Sequence, residues 1–401
     1  MFGVVATAVS LALLAQLAWA HRSALKAWRD RSAAQPARLD AYPDVTVIRP
    51  VKGRDVEQDA NFRAALDTGY PGTVETLFVF EEADDPAHAL ARAAVDDHVR
   101  TGGRGEARIL FSGRPPAGRT GKIHNMIVGE AEARGEIIAF GDSDTRPDRT
   151  VLANLVEHLA ADPGAGAAFA PAVAVSPPRT AGDVGHHIIM NSLLVAGMET
   201  EREPGRSLPF LMGHLMAFRR EALEAIGGAR CAEGQLVDDM YLGARIVEAG
   251  YRNVVGTRAL EVINHGLRFV DFLRLWRRWL FCGRGGIPAR FVRPFAVRAA
   301  SLYLAIILAA TALVAGPAWA ALPPAVLALG EGAHFLRLHR VYGGAAVPAR
   351  LSWMAWMPFL TVLPIGLSML VRPRLDWRGH TYRVDRGARL RRGGSAGDQA
   401  S

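Results

Sequence analysis

The sequence predicts an α/β fold, a parallel, doubly wound sheet with apolar spans at both ends. Three observations carry this. Short apolar runs alternate with helical stretches from Val45 to Phe140, the pattern of a parallel sheet covered on both faces. The last of these runs, Glu136 to Phe140, leads into Gly141-Asp142-Ser143-Asp144. Two carboxylates spaced i, i+2 then stand at a strand's carboxyl end, where open α/β sheets bind ligands. Uncharged runs at Met1–Ala20, Ala299–Gly330 and Leu351–Val371 flank the whole, each long enough to cross ~30 Å of hydrocarbon.

Composition agrees. A chain of 401 residues holds one large domain plus membrane elements, or two domains. Half of the residues are hydrophobic and the net charge is +8, with arginine far outnumbering lysine. Only Cys231 and Cys282 are present, far apart, which excludes a disulfide framework or a cysteine-rich zinc site and fits a reducing compartment.

Residues 1–20 read as a transmembrane anchor. Ala18-Trp19-Ala20 resembles a signal-peptidase site, but no basic segment precedes it, and His21, Arg22, Lys26, Arg29 and Arg31 follow. Positive charge downstream retains that side in the cytoplasm, so an uncleaved anchor is expected, with a basic linker at 21–43. The catalytic domain is expected over 44–267. Strands are predicted at Val45–Ile48, Val74–Phe80, Arg108–Phe111 and Glu136–Phe140. Helices are predicted at Val56–Leu66, Ala87–Val99 and Gly121–Arg134, the last with Gly135 as C-cap. Beyond Thr150 the pattern loosens, with strands at Ala167–Val175 and Phe210–Phe218 and helices at Arg219–Ile226 and Val237–Gly250.

From Phe269 to Phe281, Phe269, Phe272, Leu273, Trp276, Trp279 and Leu280 recur at helical spacing, opposite Asp271, Arg274 and Arg278. Such an aromatic and basic helix lies in a membrane interface, so residues 268–298 are expected there. Residues 299–371 supply C-terminal spans, the first run being one kinked span or a tight pair. Residues 372–401 form a basic cytoplasmic tail. The cations cluster beside apolar spans rather than on a nucleic-acid-binding module, so the expected partner is a bilayer and not nucleic acid. Pro116–Lys122 lacks the leading Gly and trailing Ser/Thr of a P-loop. The spacing of His186, His187, His214 and His265 is not that of a zinc site.

An Asp-x-Asp at a strand end suits a hard cation held by one or two carboxylates and a substrate diphosphate. Five separated motifs sharpen this reading. Ile48-Arg49-Pro50-Val51-Lys52-Gly53, Asp84-Asp85-Pro86, Lys122-Ile123-His124-Asn125, Val237-Asp238-Asp239-Met240-Tyr241 and Arg277-Arg278-Trp279 resemble, in order and spacing, the ceramide glucosyltransferases and their bacterial relatives, inverting glycosyltransferases of the GT-A fold. The resemblance runs from about Val45 to Trp279. It implies roles for single residues. Asp85 and Asp142 would lie at the nucleotide sugar with Lys122, Asp144 would hold a divalent metal, Mg²⁺ or Mn²⁺, and Asp239 would be the general base. Arg278 and Trp279 would lie near acceptor and diphosphate. The chain departs from the family at the first position of the Gln/Arg-x-x-Arg-Trp motif, where Leu275 stands and Arg274 precedes it by one residue.

The implied function is a membrane-bound hexosyltransferase acting from the cytoplasmic side of a bacterial inner membrane. A UDP-sugar, with UDP-glucose favoured, would glycosylate a lipid such as ceramide. Transfer of N-acetylglucosamine to a hopanoid is the alternative. A polysaccharide synthase fits less well, because it needs a channel, and a non-catalytic scaffold fits less well, because the three family aspartates are present.

Overall fold

The chain enters through a helix longer than its apolar stretch. In the computed structural model, which describes residues 1–116, 118–200, 207–285, 289–371, 374–377, 380–384 and 390–392, α1 spans Phe2–Asp30. No residue between His21 and Asp30 breaks a helix. Ala24 is buried, Trp28 meets Tyr342 edge-on at 4.5 Å, and the Tyr342 hydroxyl donates to the Ala24 carbonyl at 3.0 Å. The linker expected from residue 21 therefore begins only after Asp30.

The first half of the α/β domain follows as β1 (Val45–Pro50), α2 (Gln58–Leu66), β2 (Val74–Phe80), α3 (His88–Arg100), β3 (Glu106–Phe111), α4 (Gly121–Glu132) and β4 (Ile137–Gly141). The second half contains β5 (Thr145–Arg146), α5 (Val151–Ala161), β6 (Ala165–Phe169), β7 (Ala172–Ala174), α6 (Ala181–His187), a π-helical stretch at Ile188–Val195, and α7 (Ala196–Thr200). It continues with β8 (Leu215–Arg219), α8 (Arg220–Ala225), α9 (Asp238–Glu248), β9 (Arg252–Val255) and β10 (Leu260–Val262).

Seven strands form the main sheet in the order β3-β2-β1-β4-β8-β6-β9. β1 to β4 are mutually parallel, as apolar runs such as Val74–Phe80, buried along their whole length, require. β8 is antiparallel to both β4 and β6, so the sheet is mixed rather than wholly parallel. After β7 the chain runs through α6, the π-helical stretch and α7. It packs α7 against α1 and re-enters beside Gly141, at the carboxyl edge. The strand expected at Ala167–Val175 is two strands, β6 and β7, in different sheets.

α4 ends at Glu132, capped by Ala133 and not by Gly135. A Cβ on Gly135 would lie 2.5 Å from the Thr46 amide nitrogen. The glycine is there because the chain passes against the backbone of β1.

The C-terminal part holds α10 (Phe269–Gly285), α11 (Ala289–Ala315), α12 (Leu322–Val341), α13 (Met357–Leu360) and α14 (Val362–Val371). The first apolar run is thus a helix pair. By length and composition α1 and residues 292–315 of α11 can each cross a membrane, and the Ala349–Leu360 and Val362–Val371 segments form a further candidate span bent by 46°. One face of α10, the helix expected at a membrane interface, packs against protein. Phe272 and Trp276 are buried in a cluster with Val184, Ile188, Phe335 and Phe359, and Trp276 Nε1 donates to the Pro358 carbonyl at 3.0 Å. Protein from α6, α11 and α13 packs against the Phe272 and Trp276 face. The tail is also not featureless: β11 (Arg374–Trp377), β12 (His380–Val384) and β13 (Leu390–Arg392) form an antiparallel sheet. Residues 393–401, expected to be disordered, lie outside the described residues.

Gly135→Ala should lower the apparent Tm by several degrees, since overpacking against a backbone that cannot move aside costs about 1–3 kcal/mol. Gly366→Ala, where an added Cβ meets nothing within 4 Å, should leave it unchanged; thermal unfolding in detergent compares the two.

Candidate active site

Arg49, at the end of β1, is buried to 1% exposure and lies beneath the Asp-x-Asp loop. Its Nη2 donates to the carbonyls of Asp142 and Thr145, the latter at 2.9 Å, and to Thr145 Oγ1 at 3.1 Å. Burial lowers the guanidinium's pKa to about 10, against the opposing pull of Asp142, Asp144 and Asp55. Ser143 Oγ donates to Asp55 Oδ2 at 2.6 Å. The turn is thus held from below by a cation and from the side by a carboxylate.

Lys122 opens α4, whose first turn is capped by Thr120. Its ammonium stands 2.9 Å from Asp142 Oδ1 and 3.2 Å from Asp238 Oδ2, joining the turn after β4 to the start of α9. Burial lowers its pKa, but Asp142, Asp238 and Asp239 more than reverse this, so the net shift is upward and the amine stays charged.

Asp238 and Asp239 occupy the first turn of α9, where the helix dipole favours anions. Asp239 Oδ2 accepts from the Gly213 amide at 2.6 Å and Oδ1 from the Met240 amide at 2.8 Å. Burial and the neighbouring Asp238 push its pKa up to about 7, against Lys122 and the two amides. A Cβ on Gly213 would lie 2.9 Å from Asp239 Oδ2, so only glycine lets this amide reach the carboxylate.

A cavity of about 980 Å³ gathers Lys122, Asp142, Asp144, Asp239, Arg278 and Trp279. The rings of Trp279 and His186 are 5.6 Å apart. Asp85 is not on this wall. Its two carboxylate oxygens accept from the amides of Gly53, at 2.8 Å, and Ala87, at 2.9 Å. It ties the loop after β1 to the start of α3. Leu275 lines the cavity, whereas Arg274 is exposed and pairs with Asp271 at 2.9 Å. Arg274 therefore does not replace the missing first residue of the motif through a local shift.

The same cavity continues between apolar helices, past Trp19 of α1, Leu193, Phe295 of α11 and Phe335 of α12. Sequence reasoning did not find Gly213, His186 or this apolar arm. Gly213 left one signal, a glycine inside an apolar strand-like run, which marks close backbone approach.

Among the described residues no cluster of three or more His, Cys, Asp or Glu could hold a metal by itself. The donor set at the turn is two carboxylates, one of them shared with Lys122. That set fits a hard divalent ion taking its remaining ligands from diphosphate and water.

The profile of glycosyl transferase family 21 matches residues 4–390. Ceramide glucosyltransferase 3 of Caenorhabditis elegans is 22% identical over 254 residues, 60% of this chain and 50% of that protein. The chain thus spans about half the length of this relative. The solved mannosyltransferase PcManGT from Pyrobaculum calidifontis, in complex with GDP-Man and Mn²⁺, is 20% identical, with a TM-score of 0.50 over 89% of this chain and 99% of its own. That likeness bears on fold, and it agrees with the expected GT-A arrangement of a nucleotide half joined to further helices. The family match takes in every side chain gathered at the cavity, and the chain belongs to glycosyl transferase family 21.

Proposed function

We propose that the protein is a membrane-bound, inverting transferase that moves a hexose from a UDP-sugar, with UDP-glucose favoured, to the hydroxyl of a lipid such as ceramide. The observation that supports this most is the continuity of one cavity from the acidic cluster at Asp142 and Asp239 to the apolar walls of α1, α11 and α12. A polar donor and an amphiphilic acceptor need such a space. The name of the Caenorhabditis relative points to the same acceptor class.

The donor's diphosphate would sit at the turn after β4, beside Asp142, Asp144 and the Lys122 ammonium. Asp85 would shape the loop that takes the base. A divalent cation, when bound by Asp144 with Asp142 nearby, would offset charge on the departing diphosphate; the Mn²⁺ in the PcManGT complex supports such an ion. Lys122 and Arg278 add fixed positive charge there, which acts as the leaving group develops its own charge. Asp239, held in one orientation by the Gly213 and Met240 amides, takes the acceptor hydroxyl's proton as that oxygen attacks the anomeric carbon. Attack from the face opposite the diphosphate inverts the centre, so an α-linked donor yields a β-glycoside. Trp279 would flank the acceptor. The catalytic domain would face the cytoplasm, on the side of the cations that follow Ala20.

Membranes carrying the protein, given UDP-[¹⁴C]glucose and ceramide, should yield labelled lipid; label confined to free sugar or to polymer would overturn the reading. Asp239→Asn should lower transfer by about 10²–10⁴-fold while UDP binding, read by calorimetry, persists. Because the base acts as the carboxylate and its pKa is raised to about 7, kcat/KM should climb with pH through that value. An acid limb near pH 4 would remove Asp239 from the role. Asp144→Ala should raise the Mn²⁺ concentration that half-saturates UDP binding by tenfold or more, since hard ions depend on each carboxylate.

A further inference from the structure

The apolar arm of the cavity has one polar wall. Gln16 of α1, Arg298 of α11 and His334 of α12 all line it, one side chain from each of three mutually packed helices. Arg298 Nη1 lies 2.9 Å from Glu331 Oε1 and Nη2 lies 2.5 Å from Gln16 Oε1. His334 Nδ1 stands 2.9 Å from His21 Nδ1. Arg298, Glu331 and His334 are all buried, and the second oxygen of Glu331 has no hydrogen-bond partner among the described residues. Around them Leu17, Ala305 and Leu327 form a purely apolar contact. Ionisable side chains within membrane-spanning helices are expensive and mark substrate paths.

We propose that Arg298, Gln16 and His334 form an acceptor subsite that reads a second, uncharged hydrogen-bonding group of the lipid, an amide or a hydroxyl, distinct from the hydroxyl that is glycosylated. This rests on the lipid-transfer reading above. The chemistry selects a neutral group. Arg298 is matched by Glu331, so the pair carries no net charge with which to draw in a phosphate. The cluster still offers donors and acceptors that protein alone does not exhaust, in a place where water is scarce. A lipid hydroxyl or amide placed there replaces hydrogen bonds that the surrounding apolar side chains cannot make. A lipid with one hydroxyl and a bare hydrocarbon body would leave the cluster unsatisfied.

The test compares ceramide with a long-chain primary alcohol of matched length, using the full-length protein in proteoliposomes. The variants are His334→Phe and the double exchange Arg298→Met with Glu331→Leu, which removes the ion pair without stranding one charge. The wild type should prefer ceramide, and each variant should reduce the ratio of kcat/KM for ceramide over alcohol by roughly tenfold, through the acceptor KM. The KM for UDP-glucose serves as the control for an intact nucleotide half. Variants that slow both acceptors equally would make the cluster a helix clamp and overturn the subsite. A wild type that labels neither lipid would overturn the transfer reading itself, and the subsite with it.

Discussion

A buried guanidinium holds the Asp142–Asp144 turn in place. Arg49 sits under the loop after β4 and donates to the carbonyls of Asp142 and Thr145. A loop of that kind normally lies on the surface, where water satisfies its backbone. Here the arginine does so from within, and its positive charge also offsets Asp142, Asp144 and Asp55 gathered above it. Three carboxylates so close would otherwise disfavour one another's ionisation. Because Arg49 comes from β1 and the turn from β4, the parallel pairing of these two strands sets the geometry of the site.

Lys122 carries the constraint across the cavity. One ammonium between Asp142 and Asp238 joins the nucleotide half to α9, and so sets where Asp239 stands. The neighbouring aspartates thereby differ in their surroundings. Asp238 has a cation beside it; Asp239 has only amides against its oxygens and is raised by burial and by Asp238 itself.

The antiparallel strand β8 explains how this half meets the membrane. The chain leaves the sheet after β7, runs through α6 and α7 against the apolar helices, and returns along β8 with Gly213 and His214 at the carboxyl edge. The excursion puts His186 beside Trp279 and lets the cavity run from the sheet into the helix bundle. α10 stands between the two, its Phe272 and Trp276 packed against α6, α11 and α13.

The chain itself determined the first half of the α/β domain. Apolar runs from Val45, Val74 and Ile137 need burial on both faces, and only a sheet covered by helices provides it, so strand positions and the Asp142–Asp144 turn were legible. The aspartates and Arg278-Trp279 were legible as motifs because their spacing is local. What lay beyond reach was non-local. Whether the face of Phe272 and Trp276 meets lipid or protein depends on helices tens of residues away, and periodicity reports only that a face is apolar. Gly135 reads as a helix cap until β1 is seen against it. The Arg298–Glu331–Gln16 cluster joins three helices that no sequence interval connects. Burial, and with it the elevated pKa of Asp239, exists only once those segments pack together.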